Sequence, residues 1–440
     1  MNRNIFTRHK ESMRYIFLNF ILLLFISTTF ASNTQEFQLK NGLKLIVRED
    51  HRAPVVLSSI WYKVGSSYEH NGETGISHML EHMMFKGTKE FGSGVFNHMV
   101  GDSGGDNNAN TARDFTVYYE TVAPKKLDMT FQLEADRMQH LLLNEKAFQN
   151  ERKVVMEERR MRVDDDPQSV TYERFNAAAF VNNPYHHPVI GWMTDIEHYT
   201  IHDLQNWYHQ FYAPNNAVII VIGDVNADKV YSEVKKYFNN IKPSVIPVLK
   251  PRQEIHALGE KDIIVNIPAQ LPWLVMGYHV PAHSYTLLLI AQILSGGDSA
   301  RLSDDLIREH AIAVEADANY SLYHLHGTQF IFSGTPTPKY SVLQLKNAFF
   351  DEVKRLHTTL VTQDELNRAK AQLIASRIYQ NDSLMKQMFS LGEPEMVGLS
   401  WRESDQFAAK IQLVTPEDIR ADAQKYFVKN NLTVAELIPK

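Results

Sequence analysis

The segment SHMLEHMMFKGT, residues 77–88, holds two histidines four positions apart, His78 and His82, with Glu81 between them. On a helix that spacing puts both imidazoles on one face, close enough to ligate a single ion. It also leaves Glu81 on the same side, within reach of a metal-bound water. The usual zinc-hydrolase signature has its glutamate directly after the first histidine, so this cluster is written in reverse order with the same chemistry available. The chain has no cysteine. Any metal must therefore sit on His, Asp or Glu, and zinc suits such a nitrogen–oxygen site. A catalytic zinc also needs a third protein ligand and an open position. The segment ERKVVMEERRMRVDDDP, beginning at Glu151, offers Glu151 and Glu158 on one helical face, two turns apart, while Glu157 points elsewhere. Arg152, Lys153, Arg159 and Arg160 intersperse these acids, as they would on an ordinary charged surface helix.

These side chains need elements to hold them. Thr74 is a plausible N-cap, Lys86 falls in a last turn and Gly87 follows as a stop, which predicts a helix over 75–86. Its remaining positions, Met79, Leu80, Met83, Met84 and Phe85, are apolar nearly all round, so the helix should be buried. Burying two imidazoles and a carboxylate with it is costly unless each finds a strong partner. Further helices are expected at 125–140, 145–163, 201–211, 285–295 and 364–380. Strands are expected at 116–122, 218–222 and 263–267, with a hairpin turning at Asn41-Gly42. Hairpins and helices without a βαβ rhythm point to an α+β fold with antiparallel sheet.

The chain also repeats itself. IEHYTIHDLQNWYHQFYAPNNAVIIV from Ile196 aligns without gaps with IQLVTPEDIRADAQKYFVKNNLTVAEL from Ile411 at an offset of 215 residues. Thr200 and Thr415 each read as an N-cap with an acid three positions on, and Pro416 suits a first helical position. VVLSSIWYKV (55–64) resembles LPWLVMGYHV (271–280) at an offset of 216, and KPSVIPVLKP between the halves suits an extended linker. Two homologous domains follow, residues 32–242 and 253–440, joined by 243–252.

At 440 residues with 44% hydrophobic and 22% charged composition, the chain is long enough for two cores and gives no sign of disorder. A formal charge of −6 without a long basic run argues against a nucleic-acid partner. Arg3, Arg8, Lys10 and Arg14 precede an apolar run from Tyr15 to Ile26, and Thr29-Phe30-Ala31 supplies small residues for cleavage. Residues 1–31 thus read as an export signal, cleaved after Ala31, which places the mature chain in the periplasm with no membrane span. The run is short for a retained anchor.

The motif, together with GGDNNANTARDFTVYYETV, NERKVVMEERRM and the twofold module, resembles the pitrilysin, insulinase and mitochondrial-processing-peptidase family, the inverted zincins, in their bacterial two-domain form. The resemblance implies a clamshell of two domains and a zinc metalloendopeptidase acting on peptides or unfolded protein. It implies one Zn2+ per chain on His78, His82 and Glu158, with Glu81 as general base and Glu151 as a supporting acid. Asn108, Ala109, Asn110 and Thr111 match the family's edge strand and are expected to pair with substrate by strand addition; read locally, they form a loop leading into a strand. In active family members the second half supplies an arginine and, seven residues later, a tyrosine. Here Arg308 remains but Glu315 stands at the tyrosine position, with Tyr320 or Tyr323 as substitutes from a shifted loop. Read locally, Arg308 is a helix-surface ion-pair residue. The departure implies a heterodimer with a related subunit carrying the arginine–tyrosine pair, or else a homodimer or a self-sufficient chain. A non-catalytic peptide-binding or assembly subunit is the competing reading, against which the retention of Glu81 argues. His198 with His202, His324 with His326, and His186-His187 are expected to play ordinary structural roles.

Overall fold

The computed structural model describes residues 34–255 and 258–440. The expected export segment lies outside them. Among the described residues no helix is long and apolar enough to cross a membrane.

Two sheets organise the chain. The first has the order β1-β2-β6-β3-β5-β4, built from Thr34–Gln38, Lys44–Glu49, Val56–Tyr62, Asp106–Thr111, Thr116–Val122 and Ala217–Gly223 for β1 to β6. The second has the order β7-β11-β8-β10-β9, from Lys261–Ile267, Trp273–Val280, Ala313–Asn319, Thr328–Pro336 and Leu432–Pro439 for β7 to β11. Helices flank both, so the α+β expectation holds. The sheets are not purely antiparallel, because β2 runs parallel to β6 and β7 parallel to β11. Helices Ile201–Phe211 and Pro416–Tyr426 both carry the expected capping boxes and each leads into a strand, β6 and β11, in equivalent places of the two sheets. The substrate-strand candidate is β4, at the outer edge of the first sheet and paired on one side only, with β5.

The alternation along the strands gives the first sheet two apolar faces. Leu45, Val47, Ile60 and Tyr62 belong to the core that also holds Met79, Leu80 and Met83. Ile46, Leu57, Trp61, Ile220 and Ile222 face the other way, and they are covered by Met388, Leu391, Met396 and Trp401 from the second half. Helix Leu384–Met396 thus crosses to the first sheet. Reciprocally, helix Pro167–Ala179 crosses to the second, where Phe175 packs with Trp273, Val275, Ala435 and Leu437. Each crossing is seated on a glycine–aromatic pair with the roles exchanged. A Cβ on Gly392 of the helix would stand 2.3 Å from Trp61 on β3, whereas a Cβ on Gly277 of β8 would stand 2.6 Å from Phe175 of the helix. Trp61 and Gly277 are the residues that the repeat aligns at an offset of 216.

Candidate metal centre

The motif helix spans Ile76–Met83. Thr74 is not its cap. Gly75 holds that position in a left-handed conformation with φ 86°, and the first-turn amides are taken instead by Glu69, whose carboxylate accepts from Gly75 N at 2.7 Å and Ser77 N at 2.9 Å. Thr74 Oγ1 donates to Asp195 Oδ2 at 2.6 Å and accepts from Trp192 N at 2.9 Å, tying the preceding loop to residues 192–195. Glu69 is fully buried, and burial pushes its carboxyl up to about 8 against the pull of the two amides. Ile76, Met79, Leu80 and Met83 are buried as the composition of the helix requires, so its register is fixed and its polar side chains are aimed.

They are aimed at helix Glu145–Arg159, whose N-cap Asn144 accepts from Ala147 N. Ligand-capable atoms of His78, His82 and Glu158 lie within 4.8 Å of one another. Glu158 Oε2 is 3.2 Å from His82 Nε2 and 3.8 Å from His78 Nε2. Ligands at 2.0–2.1 Å around one tetrahedral zinc stand about 3.4 Å apart, so the group fits that ion with small adjustments. The second acid on the same face, Glu151, approaches the other nitrogen of His82, Nδ1, at 3.0 Å and binds Lys86 Nζ at 2.5 Å. One carboxylate therefore orients the ring whose far side meets the other. Glu157 pairs with Arg160 on the surface instead. His78 Nδ1 is buried without a hydrogen-bond partner among the described residues.

The electrostatics suit a cation. Burial disfavours a charged His82, yet the hydrogen bonds to Glu151 and Glu158 outweigh it and hold the ring up at about 9. A divalent ion would replace that proton in the same attractive field. His78 is driven down to about 4, first by burial and then by the neighbouring His82. Glu158 is held below the ordinary carboxylate range by its bond to His82. Glu81 goes the other way, raised by burial, with Thr111 Oγ1 of β4 donating to its Oε2 at 2.5 Å and opposing the rise. A carboxyl raised toward neutrality suits proton transfer.

Of the other expected residues, Asn108, Ala109, Asn110 and Thr111 lie along β4, with Thr111 at the end nearest Glu81. Arg308 makes no hydrogen bond or ion pair with the triad among the described residues. It pairs with Asp304 at 3.0 Å on the exposed face of its helix and donates to the Asp298 carbonyl. Glu315 is exposed on β9, and the Tyr320 hydroxyl is engaged with Pro281 O and Ser284 N. Sequence reasoning missed Glu69 and the bond from Thr111 to Glu81, for which no local spacing gave a signal. Arg162, which binds Glu158 Oε1 at 3.1 Å, follows it by one helical turn and was visible in principle.

Residues 44–192 match the family model described as insulinase (peptidase family M16), and residues 198–373 match that of the peptidase M16 inactive domain. The zinc protease PqqE of Helicobacter pylori is 33% identical over 381 residues, 82% of this chain and 84% of the relative. The crystal structure of a protease from Helicobacter pylori superimposes with a TM-score of 0.88 at 30% identity, covering 92% of this chain and 99% of that one. A structure of a peptidase M16 inactive domain from Pseudomonas fluorescens shares the fold, with a TM-score of 0.83 at 18% identity over 93% and 98% of the two chains.

Proposed function

This chain belongs to the insulinase family, peptidase family M16, and from that membership and the geometry above we propose that it is an exported zinc-dependent endopeptidase acting on peptides or unfolded protein segments. The observation that carries the reading is the convergence of His78, His82 and Glu158 beside a half-buried, hydrogen-bonded Glu81. When bound at that triad, zinc supplies a water of lowered pKa and a Lewis acid for the substrate carbonyl. Glu81 takes a proton from the attacking water and returns it to the leaving amine, while Thr111 fixes the carboxylate that does so. Glu151 keeps the His82 ring in one tautomer. The unpaired edge of β4 offers backbone donors and acceptors to an extended peptide, through Asn108 to Thr111.

Export rests on the pattern of residues 1–31, and a division into domains of residues 32–242 and 253–440 rests on the internal repeat. With Arg308 in a surface ion pair and Glu315 in place of a tyrosine, a related partner chain remains the natural source of further substrate contacts. The test is hydrolysis of a quenched unfolded peptide by purified residues 32–440, alone and with such a partner. Cleavage should be abolished by a chelator, restored by zinc, and reduced about 10²–10⁴-fold in Glu81→Gln. Undiminished cleavage by that variant would rule out the assignment.

A further inference from the structure

A cavity of about 660 Å³ lies between the helix Pro167–Ala179 and the second sheet, of a size that takes a side chain with room to spare. Arg113 forms part of its wall, with Tyr172, Trp273, His187 and His324. Arg113 is half-buried. Its guanidinium sits 4.8 Å over the ring of Tyr185, which is itself anchored through its hydroxyl to Asp114 Oδ2 at 2.5 Å. No carboxylate lies within ion-pair distance of that guanidinium among the described residues. The acids of the wall are otherwise engaged: Glu173 receives Arg159 at 2.8 Å, and Asp166 caps its own helix at the exposed rim, accepting from Ser169 N. His187 and His324 are both driven to about 4 by burial, so neither competes as a cation near neutral pH. The cavity thus presents one cation without an ion-pair partner against aromatic walls, the nearby Asp114 carboxylate being taken by the Tyr185 hydroxyl, Ser67 and Leu325 N.

Its position relates it to the β4 edge. Thr111 ends β4 and holds Glu81, and Ala112 N bonds Phe115 O to close the turn that carries Arg113. A peptide laid along β4 and continuing past Thr111 reaches the level of Arg113 after about two residues, at roughly 3.3 Å each. We propose, resting on the peptide-substrate reading above, that Arg113 and this cavity bind a carboxylate of the substrate two or three residues from the bond that is cut, supplied by an acidic side chain or by the peptide's C-terminus. A planar guanidinium placed over an aromatic ring keeps its N–H fork for bidentate binding of that group.

Binding can be measured apart from catalysis. Fluorescent decapeptides carrying a single Glu or Gln at successive positions, each as free acid and as C-terminal amide, are titrated against zinc-loaded Glu81→Gln protein. Either Glu at one position should bind more tightly than Gln, or the free acid more tightly than the amide, by roughly ten- to a hundredfold, the range for a hydrogen bond to a charged group. If the free acid binds more tightly than the amide while Glu and Gln bind alike at every position, the carboxylate is the C-terminus; if Glu exceeds Gln at one position in free acid and amide alike, it is a side chain. In Arg113→Gln added to the same protein the ratio should fall to about one, with affinity for the amidated Gln peptide unchanged. Arg113→Lys, which keeps the charge without the fork, should retain part of the ratio. A full preference in Arg113→Gln, or no preference for either Glu over Gln or free acid over amide, overturns the proposal. Hydrolysis of the same peptides by the unmutated chain is scored separately, so failure of the peptidase reading shows as intact peptide whatever the binding ratio.

Discussion

Replacing Gly392 by alanine sets two effects of opposite sign against each other. In an unconstrained helix interior the change stabilises by about 1 kcal/mol, because glycine loses more backbone freedom on folding. Gly392 lies against Trp61, and a new Cβ would stand 2.3, 2.5 and 2.6 Å from Cζ2, Cε2 and Cη2 of that ring. Carbons in contact rest at about 3.5–4.0 Å. The ring cannot step aside: it is fully buried, its Nε1 donates to Ser59 Oγ at 3.0 Å, and Phe115 and Phe389 pack it at centroid distances of 4.9 and 5.6 Å. The helix must lift by about 1 Å, loosening Met388 and Leu391, which are also fully buried. Overpacking costs about 1–3 kcal/mol, and a rigid neighbour puts this site at the upper end. The net expectation is destabilisation by about 2 kcal/mol, read from urea unfolding followed by tryptophan fluorescence. In a Trp61→Phe background the alanine should cost less, with a coupling energy of at least about 1 kcal/mol. A neutral or stabilising Gly392→Ala would refute the idea that Leu384–Met396 is seated on Trp61.

Glu151→Gln should weaken zinc binding about 10–100-fold while leaving a folded chain, measured by competition with a chromogenic chelator. Thr111→Val removes the hydroxyl that holds Glu81 and should lower kcat roughly tenfold with little change in zinc affinity. Asp50 gives a pH dependence of stability. The hydrogen bonds from Arg52, with help from Gln387, hold its carboxyl at about 2, below its ordinary 3.8. A depressed carboxylate stabilises above its unfolded pKa and loses that contribution as pH falls through the folded one. The difference in Tm between the native chain and Asp50→Asn should therefore be constant above about pH 5, shrink below 3.8 and vanish near pH 2.

What could be read from sequence was local. The capping boxes at Thr200 and Thr415, the strand Thr116–Val122 and the helix 201–211 depend on residues a few positions apart, and the structure has them with those bounds. The shared face of Glu151 and Glu158 follows from helical geometry alone, and both meet His82. The hidden features depend on distant contacts. Thr74 looks like a cap until Glu69 and Asp195 are folded around it. Neither crossing helix was expected. Leu384–Met396 contains Gly392 and Pro394, which locally read as breakers. The glycine is tolerated there because a tryptophan from another part of the chain fills the space beside it.

The reciprocal crossing also bears on how the chain becomes native. The face of the first sheet bearing Leu57, Trp61 and Ile220 stays bare until residues 384–401 have been synthesised and docked, so this half cannot mature in the order in which it is made. Conversely Phe175, made before any strand of the second sheet, has no apolar partner there until that sheet forms. Neither half is then an independent folding unit, and the segment 243–252, which carries no helix or strand, is not what keeps the halves together. A nick there would leave two chains held by their exchanged helices.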